Sequence, residues 1–264
     1  MLVLIRGAGD LASGIALRLH RAHIRLIMTD IEHPTAIRRT VAFSEAIRTG
    51  ETTVEGVRAR RAETAGEALK VLKEDMIPVL PDAEGRCIAA LKPDAVVDAI
   101  LAKRNLGTCI TDAPVVIGVG PGFTAGQDCH AVVETMRGHT LGRVYYEGSA
   151  LPNTGVPGLI GGFSGERVLR APADGTFQPL RSIGDQVREG DIAATVNGVP
   201  MVCTLTGVLR GILPEGTQVC KGMKAGDIDP RCKMEHCYTA SDKALAVGGG
   251  VLEALLALRG KENS

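Results

Sequence analysis

The chain has no tryptophan and only 3% aromatic residues, so it lacks the ring platforms on which single-stranded nucleic acids stack. It also carries no excess of charge, because 30 Lys and Arg balance 30 Asp and Glu. A neutral chain offers no electrostatic footprint for a phosphate backbone or an acidic membrane surface. Long apolar runs are missing too. Met1 leads straight into Leu2–Ile5, then Arg6 and a glycine turn, which predicts a first buried strand and neither a signal peptide nor a membrane span. The seven cysteines are odd in number and scattered. They suit free thiols in a reduced, cytoplasmic protein better than a disulfide framework.

What the chain has in quantity is glycine, 33 residues in 264, which points to several places of close backbone approach. The most informative stretch is Val115-Val-Ile-Gly-Val-Gly-Pro-Gly-Phe-Thr-Ala-Gly126. Apolar β-branched residues run into a glycine-rich loop, and a helical pattern over Asp128–Met136 follows. Strand, glycine turn and helix N-terminus together form an anion site in α/β proteins. On this reading Gly120, Gly122, Phe123, Thr124 and Gly126 line a phosphate cradle.

A second such unit opens the chain. A strand over Leu2–Ile5 is followed by Gly7-Ala-Gly9-Asp-Leu-Ala12, a helical pattern and a second strand from Ile24 that ends at Thr29-Asp30. This is the order of the dinucleotide fingerprint, with Gly7, Gly9 and Ala12 in the turn and Asp30 suited to a ribose diol. Asp10 disagrees with a plain NAD site, because a carboxylate there repels a pyrophosphate. It suits a neutral part of a ligand or a metal better.

Further strands are expected over Thr53–Arg60, Ile77–Leu80, Ala95–Asp98 and Val115–Val119, with a helix over Ala65–Leu72. Asp98 then sits at a strand's carboxyl end, where open α/β sheets place ligands, and Lys103 follows it. The predicted fold is therefore α/β: a Rossmann-like doubly wound parallel sheet over 1–147. Glu134 and Arg137, three apart in the helical pattern, are expected either to pair with each other or to line the crevice mouth with His130 and His139.

A Gly/Pro-rich linker over 148–164 leads to a β module over 165–231 with an internal repeat. Gly175-x-Phe177-x-x-Leu180 and its following Val187-x-x-Gly190 recur as Gly207-x-Leu209-x-x-Ile212 and Val219-x-x-Gly222. The module resembles the barrel-sandwich hybrid of lipoyl and biotinyl carriers. The turn at Asn197-Gly198 lacks the carriers' lysine, so the module is expected to dock a partner or shape a pocket. A C-terminal helical segment over 232–264 holds Cys232, His236 and Cys237, whose spacing is looser than that of zinc sites, so no metal site is expected. A helix over Asp242–Leu258, capped by Ser241, carries Gly248-Gly-Gly250, a costly run unless another backbone or a ligand packs there.

Taken together, Gly7–Gly14, Gly118–Gly126, Glu134-Thr-Met-Arg-Gly-His139, Gly226-Asp-Ile-Asp-Pro-Arg231, Ser241-Asp-Lys243 and Gly248–Glu253 resemble the YqeB-type accessory proteins of selenium-dependent molybdenum hydroxylases. These are distantly similar to xanthine dehydrogenase accessory proteins. The resemblance implies a maturation factor for such a hydroxylase, assisting chalcogen or cofactor insertion. Its expected ligand is phosphate-bearing, molybdopterin or an adenine nucleotide such as NAD, complemented by Lys103, Arg137 and His139. Candidate chalcogen-carrying thiols are Cys129, expected at a helix start that lowers its pKa, Cys232 and Cys237. Two alternatives stay open: an NAD-dependent oxidoreductase using Gly7, Gly9 and Asp30, and a non-catalytic docking scaffold for the hydroxylase. The expected partners are the hydroxylase and a phosphate-bearing small molecule, with neither nucleic acid nor membrane, and a homo-oligomer is compatible with the sequence.

Overall fold

The computed structural model describes residues 1–156 and 158–262. Pro157 of the expected linker and Asn263 and Ser264 of the expected C-terminal segment lie outside the described residues. The chain divides into two units. The first comprises residues 1–34, 42–154 and 240 onward, and the second residues 35–41 and 155–239.

In chain order the first unit contains β1 (Leu2–Arg6), α1 (Asp10–Arg21), β2 (Arg25–Asp30), α2 (Glu45–Thr49), β3 (Glu51–Val54) and β4 (Val57–Arg61). It continues through α3 (Ala65–Val71), β5 (Ile77–Pro81), α4 (Cys87–Leu91), β6 (Ala95–Asp98), β7 (Val115–Val119), β8 (Ala131–Val133) and β9 (Val144–Tyr145). The last element of the chain, α5 (Asp242–Glu262), returns to this unit. Its nine strands form one mixed sheet in the order β3-β4-β5-β2-β1-β6-β7-β8-β9. The seven inner strands are parallel, and each edge is finished by an antiparallel partner, β3 on β4 and β9 on β8.

The second unit contains β10 (Val168–Arg170), β11 (Gly175–Pro179), β12 (Gln186–Val187), β13 (Ile192–Val196), β14 (Val199–Val202), β15 (Gly207–Ile212), β16 (Gln218–Val219) and β17 (Lys224–Asp229). They form two four-stranded antiparallel sheets, β10-β17-β15-β12 and β14-β13-β11-β16, around a core that includes Phe177, Leu209, Ile212 and Ile228. Residues 35–41 complete this unit from far away in sequence. Ile37 joins its core, the Ile37 carbonyl accepts from the Ile212 amide, and Arg38 donates to the carbonyls of His236 and Thr239.

This architecture corrects the expected fold. It is neither a doubly wound Rossmann sheet nor that sheet followed by a barrel-sandwich hybrid. It is a large mixed sheet plus two antiparallel sheets. The connections β6–β7 and β7–β8 contain no helix. The helical pattern expected over 128–136 is instead strand β8, whose Val132 and Val133 are β-branched and fully buried. The cover those crossovers would have supplied comes from α5, which lies along α1 and over β7, β8 and β9. The β unit extends beyond the expected 165–231, taking in residues 35–41 and 155–239.

The glycine run in α5 now has a physical cause. A Cβ on Gly248 would lie 2.9 Å from the Gly14 carbonyl oxygen of α1, and one on Gly250 would lie 2.2 Å from that of Gly142. Helix and neighbouring backbone thus pack without intervening side chains. Gly249 faces solvent, with nothing within 4 Å of an added Cβ. Gly249→Ala is therefore expected to stabilise by about 1 kcal/mol through helix propensity. Gly250→Ala is expected to cost about 1–3 kcal/mol or more by overpacking. Urea unfolding midpoints of the two variants check both signs.

Candidate functional site

The loops at the carboxyl edge of the parallel strands include 7–9 after β1, 82–86 after β5, 99–114 after β6 and 120–130 after β7. Gly7, at φ +96°, lets the first of these lie on the third, because a Cβ there would be 2.7 Å from the Ala99 carbonyl oxygen. The switch point between β1 and β6, where an open sheet would hold a dinucleotide, is filled by the protein's own backbone.

The residues around that turn are committed as well. Gly9 is the N-cap of α1, and the buried Ala12 is in its first turn. The Asp10 carboxylate accepts from the Leu11 amide at 3.0 Å and so complements the helix's positive end from within. Asp30 accepts from the amides of Ala8 and Ile31, each at 2.8 Å. Burial raises its pKa, against those two hydrogen bonds. A ribose diol would have to share both oxygens with the chain's own amides.

The glycine loop after β7 is packed in the same manner. Phe123, 4% exposed, folds over Gly118, where a Cβ would come within 2.5 Å of the ring. Gly122, at φ +110°, lies against the backbone of Arg104, 2.6 Å from its Cα to an added Cβ. Gly120 sits on Thr135, 2.9 Å from its Oγ1 on the same construction.

Most of the amides that would cradle phosphate, those of Gly120 and of Thr124 to Asp128, already have acceptors in the protein. The Gly120 amide donates to the Val133 carbonyl, Ala125 to Gly148, Gly126 to Cys129, and Gln127 and Asp128 to Thr124. The Thr124 amide donates to Asp128 Oδ2 at 2.8 Å, and its hydroxyl meets Ser149. With no helix behind it, the loop lacks the helix N-terminus of the expected cradle, and most of its amides are turned inward. His130, expected at the crevice mouth, is built into the sheet, where its Nδ1 accepts from the Val116 amide at 2.9 Å.

Beside this loop runs the feature that sequence reading underweighted. The β6–β7 connection contains two non-glycine residues in the left-handed region, Leu101 (φ 61°) and Lys103 (φ 64°), a conformation that costs of order 1 kcal/mol or more each. Lys103 and Arg104 are exposed, with the Arg104 backbone held on Gly122. The base of the loop is fixed by a buried network. Thr108 Oγ1 donates to Asp98 Oδ2 at 2.6 Å and accepts from Arg6 Nη1. Asp98 Oδ1 takes the Ile100 amide. Asp98, at 2% exposure, is therefore an anchor beneath the edge and not a ligand contact. Its partner was legible in principle, because Arg6 closes an apolar strand and pairs in parallel register with Asp98.

Other predicted residues separate from this place. Arg137 does not pair with Glu134. Its guanidinium forks onto Asp242 at 2.7 and 2.8 Å, pinning the start of α5. Glu134 is fully buried and accepts from the amides of Thr135, Met136 and Leu151. His139 is exposed on the 138–142 turn.

Two of the three candidate thiols are sealed in cores: Cys129 and Cys237 are both 0% exposed. Burial pushes the Cys129 thiol up to about 11, the reverse of the expected activation, and raises Cys237 as well. Cys232 is exposed, in a left-handed conformation at φ 55°. Among the described residues, no group of His, Cys, Asp and Glu is arranged to hold a metal, and no helix is long and apolar enough to cross a membrane.

In the second unit the Gly226–Arg231 motif forms a buried charge network. Asp227 and Asp229 share one face of β17. Asp227 accepts from Arg167 Nη1 and from Arg210 Nε at 2.8 Å and Nη2 at 2.5 Å. Asp229 is bound by Arg231 at 2.7 Å and 2.9 Å, by Arg210 at 3.3 Å and by His236 Nδ1 at 3.2 Å.

No family profile matches the sequence. Several solved structures align over 86% of this chain. One is an aspartoacylase family protein of Mesorhizobium loti, 13% identical over 84% of its own length at a TM-score of 0.28. Another is a succinylglutamate desuccinylase/aspartoacylase of Rhodobacter sphaeroides, 16% identical over 85% of its length, also at 0.28. Superpositions at that level assign no chemistry to this chain. By sequence, 257 residues, 97% of the chain, are 54% identical to the uncharacterized protein YqeB of Escherichia coli (strain K12). The chain spans about half of that relative, 48% of its length. Over those 257 residues the chain is similar to YqeB.

Proposed function

We propose that the chain is an accessory factor that matures a selenium-dependent molybdenum hydroxylase. In this reading its first unit holds a phosphate-bearing cofactor, of the molybdopterin or nucleotide kind, at the basic loop. The observation that carries the proposal is the placement of Lys103 and Arg104. Both are exposed on a loop with left-handed backbone, backed by Gly122 and tied at its base to a buried carboxylate. Such a loop presents two cations in a fixed place at the carboxyl edge, where charge-assisted bonds to phosphate oxygens are the strongest contacts available.

The fit is to side-chain cations, because the amides of Gly120 and of Thr124 to Asp128 are engaged within the protein. Cys232, exposed, is the thiol of the predicted three that a chalcogen donor would reach. In cells lacking the chain, the Lys103→Ala/Arg104→Ala double variant is expected to restore about tenfold less hydroxylase activity than wild type, or still less, as loss of two charge-assisted contacts requires. It should accumulate and melt as wild type does. Full restoration of activity by the double variant would overturn the proposal.

A further inference from the structure

We infer that Arg6 and Thr108 are the positioning residues of the basic loop, holding Lys103 and Arg104 in place from below. The inference rests on the reading of those two cations as ligand contacts. Residues 99–108 form a loop tied at both ends to one carboxylate: the Ile100 amide donates to Asp98 Oδ1 at 3.1 Å and Thr108 Oγ1 to Asp98 Oδ2 at 2.6 Å. Asn105 braces the closing turn, accepting from the amides of Gly107 and Thr108 and donating to the Thr108 carbonyl.

Arg6 supplies the countercharge. Its Nη1 donates to Thr108 Oγ1 and lies 3.7 Å from Asp98 Oδ2. Its Nη2 reaches the carbonyls of Ala83 at 3.3 Å and Leu106 at 3.5 Å. The Arg6 side chain is 2% exposed, and its Nε has no hydrogen-bond partner. A guanidinium buried this way, with one nitrogen unsatisfied and its carboxylate bridged by a hydroxyl, is a poor stabiliser by itself. What it does well is join the 83–85 turn, the 105–108 turn and Asp98 at a single point. Between the two ties to Asp98 lie Leu101 and Lys103, whose left-handed conformations need an outside constraint to persist.

Trypsin reads this directly, because it cleaves after Lys103 and Arg104. Thr108→Val removes the bridging hydroxyl while leaving Arg6 and Asp98 in place. It is expected to speed native-state cleavage after Lys103 and Arg104 by about tenfold or more, as opening a local tie raises the cleavable population. Cleavage after Arg58 and Arg143 should stay unchanged, and Thr108→Ser should behave as wild type. Arg6→Met is the harsher version and, where it folds, should give the same pattern.

The inference is overturned if Thr108→Val is cut after Lys103 and Arg104 at the wild-type rate. Acceleration at all sites together would also overturn it, since that reports general destabilisation. The same proteins are titrated with inorganic tripolyphosphate. Failure of wild type to bind refutes the ligand reading alone, while the cleavage pattern still decides the role of Arg6 and Thr108.

Discussion

Asp227→Asn is expected to destabilise the protein by about 3–5 kcal/mol, the loss that follows when one partner of a buried ion network is neutralised. Asp227 is 1% exposed and stands between Arg167 and Arg210, themselves 8% and 6% exposed. Asparagine keeps the shape and leaves two guanidiniums in the core of the β unit with one carboxylate, Asp229, nearby. Substituting Arg167, Arg210 and Asp227 together by apolar residues is expected to cost less than Asp227→Asn alone, because neither guanidinium is then stranded and Asp229 keeps Arg231 and His236.

The same network fixes the acid behaviour. Burial works to raise the Asp229 carboxyl, but hydrogen bonds from Arg231 and the charge of Arg210 outweigh it and hold it well below the usual carboxylate range. A depressed folded-state pKa contributes stability that is present above the unfolded value, about 3.9. That contribution is lost as pH falls from there toward the folded pKa. Urea unfolding of wild type and Asp229→Asn at neutral pH and near pH 3 checks the sign: the gap between the two should narrow in acid.

Glu134→Gln is expected to cost about 2–4 kcal/mol, from weakened charge-assisted bonds and one amide left facing a donor. The buried carboxylate takes two amides on Oε1, Thr135 and Met136 at 2.7 Å each, and Leu151 on Oε2 at 2.9 Å. A glutamine satisfies the first pair with its carbonyl and turns its own N–H groups toward the Leu151 amide. Its backbone is equally engaged: the Glu134 amide donates to the Arg143 carbonyl, and the Gly142 amide donates to that of Glu134. The damage should centre on 134–151, and amide hydrogen exchange of Leu151 should rise before that of β1 or β2. Exchange that rises uniformly across the sheet would contradict a local clamp.

The strands were largely readable because buried parallel strands write themselves as short β-branched runs: Leu2–Ile5, Ala95–Asp98 and Val115–Val119 all fall in β1, β6 and β7. The glycine loops were readable as places of close approach, but not what approaches. Gly7 meets Ala99, Gly122 meets Arg104 and Gly250 meets Gly142, all partners distant in sequence. A ligand and a neighbouring backbone demand the same missing side chain, so a motif alone cannot separate them.

The helix expected over 128–136 failed because Glu134 and Arg137 sit at a spacing that suits a helix, while Ala131–Val133 is held as a strand by β7 on one side and β9 on the other. Cys129 was misplaced with it. A thiol at a helix start would be activated, whereas one packed with Val116 and Val132 in the core is raised by burial. Membership of residues 35–41 in the β unit left no local mark at all, since it depends on Gly211 admitting the Ile37 backbone.

Lys103 and Arg104 are proposed to form an anion site at the sheet's carboxyl edge. Isothermal titration calorimetry with inorganic tripolyphosphate at low salt tests it most directly. Wild type should bind, more weakly as salt is raised, and Lys103→Ala/Arg104→Ala should bind about tenfold more weakly or not at all. Equal binding by wild type and the double variant, or none by wild type, would contradict it.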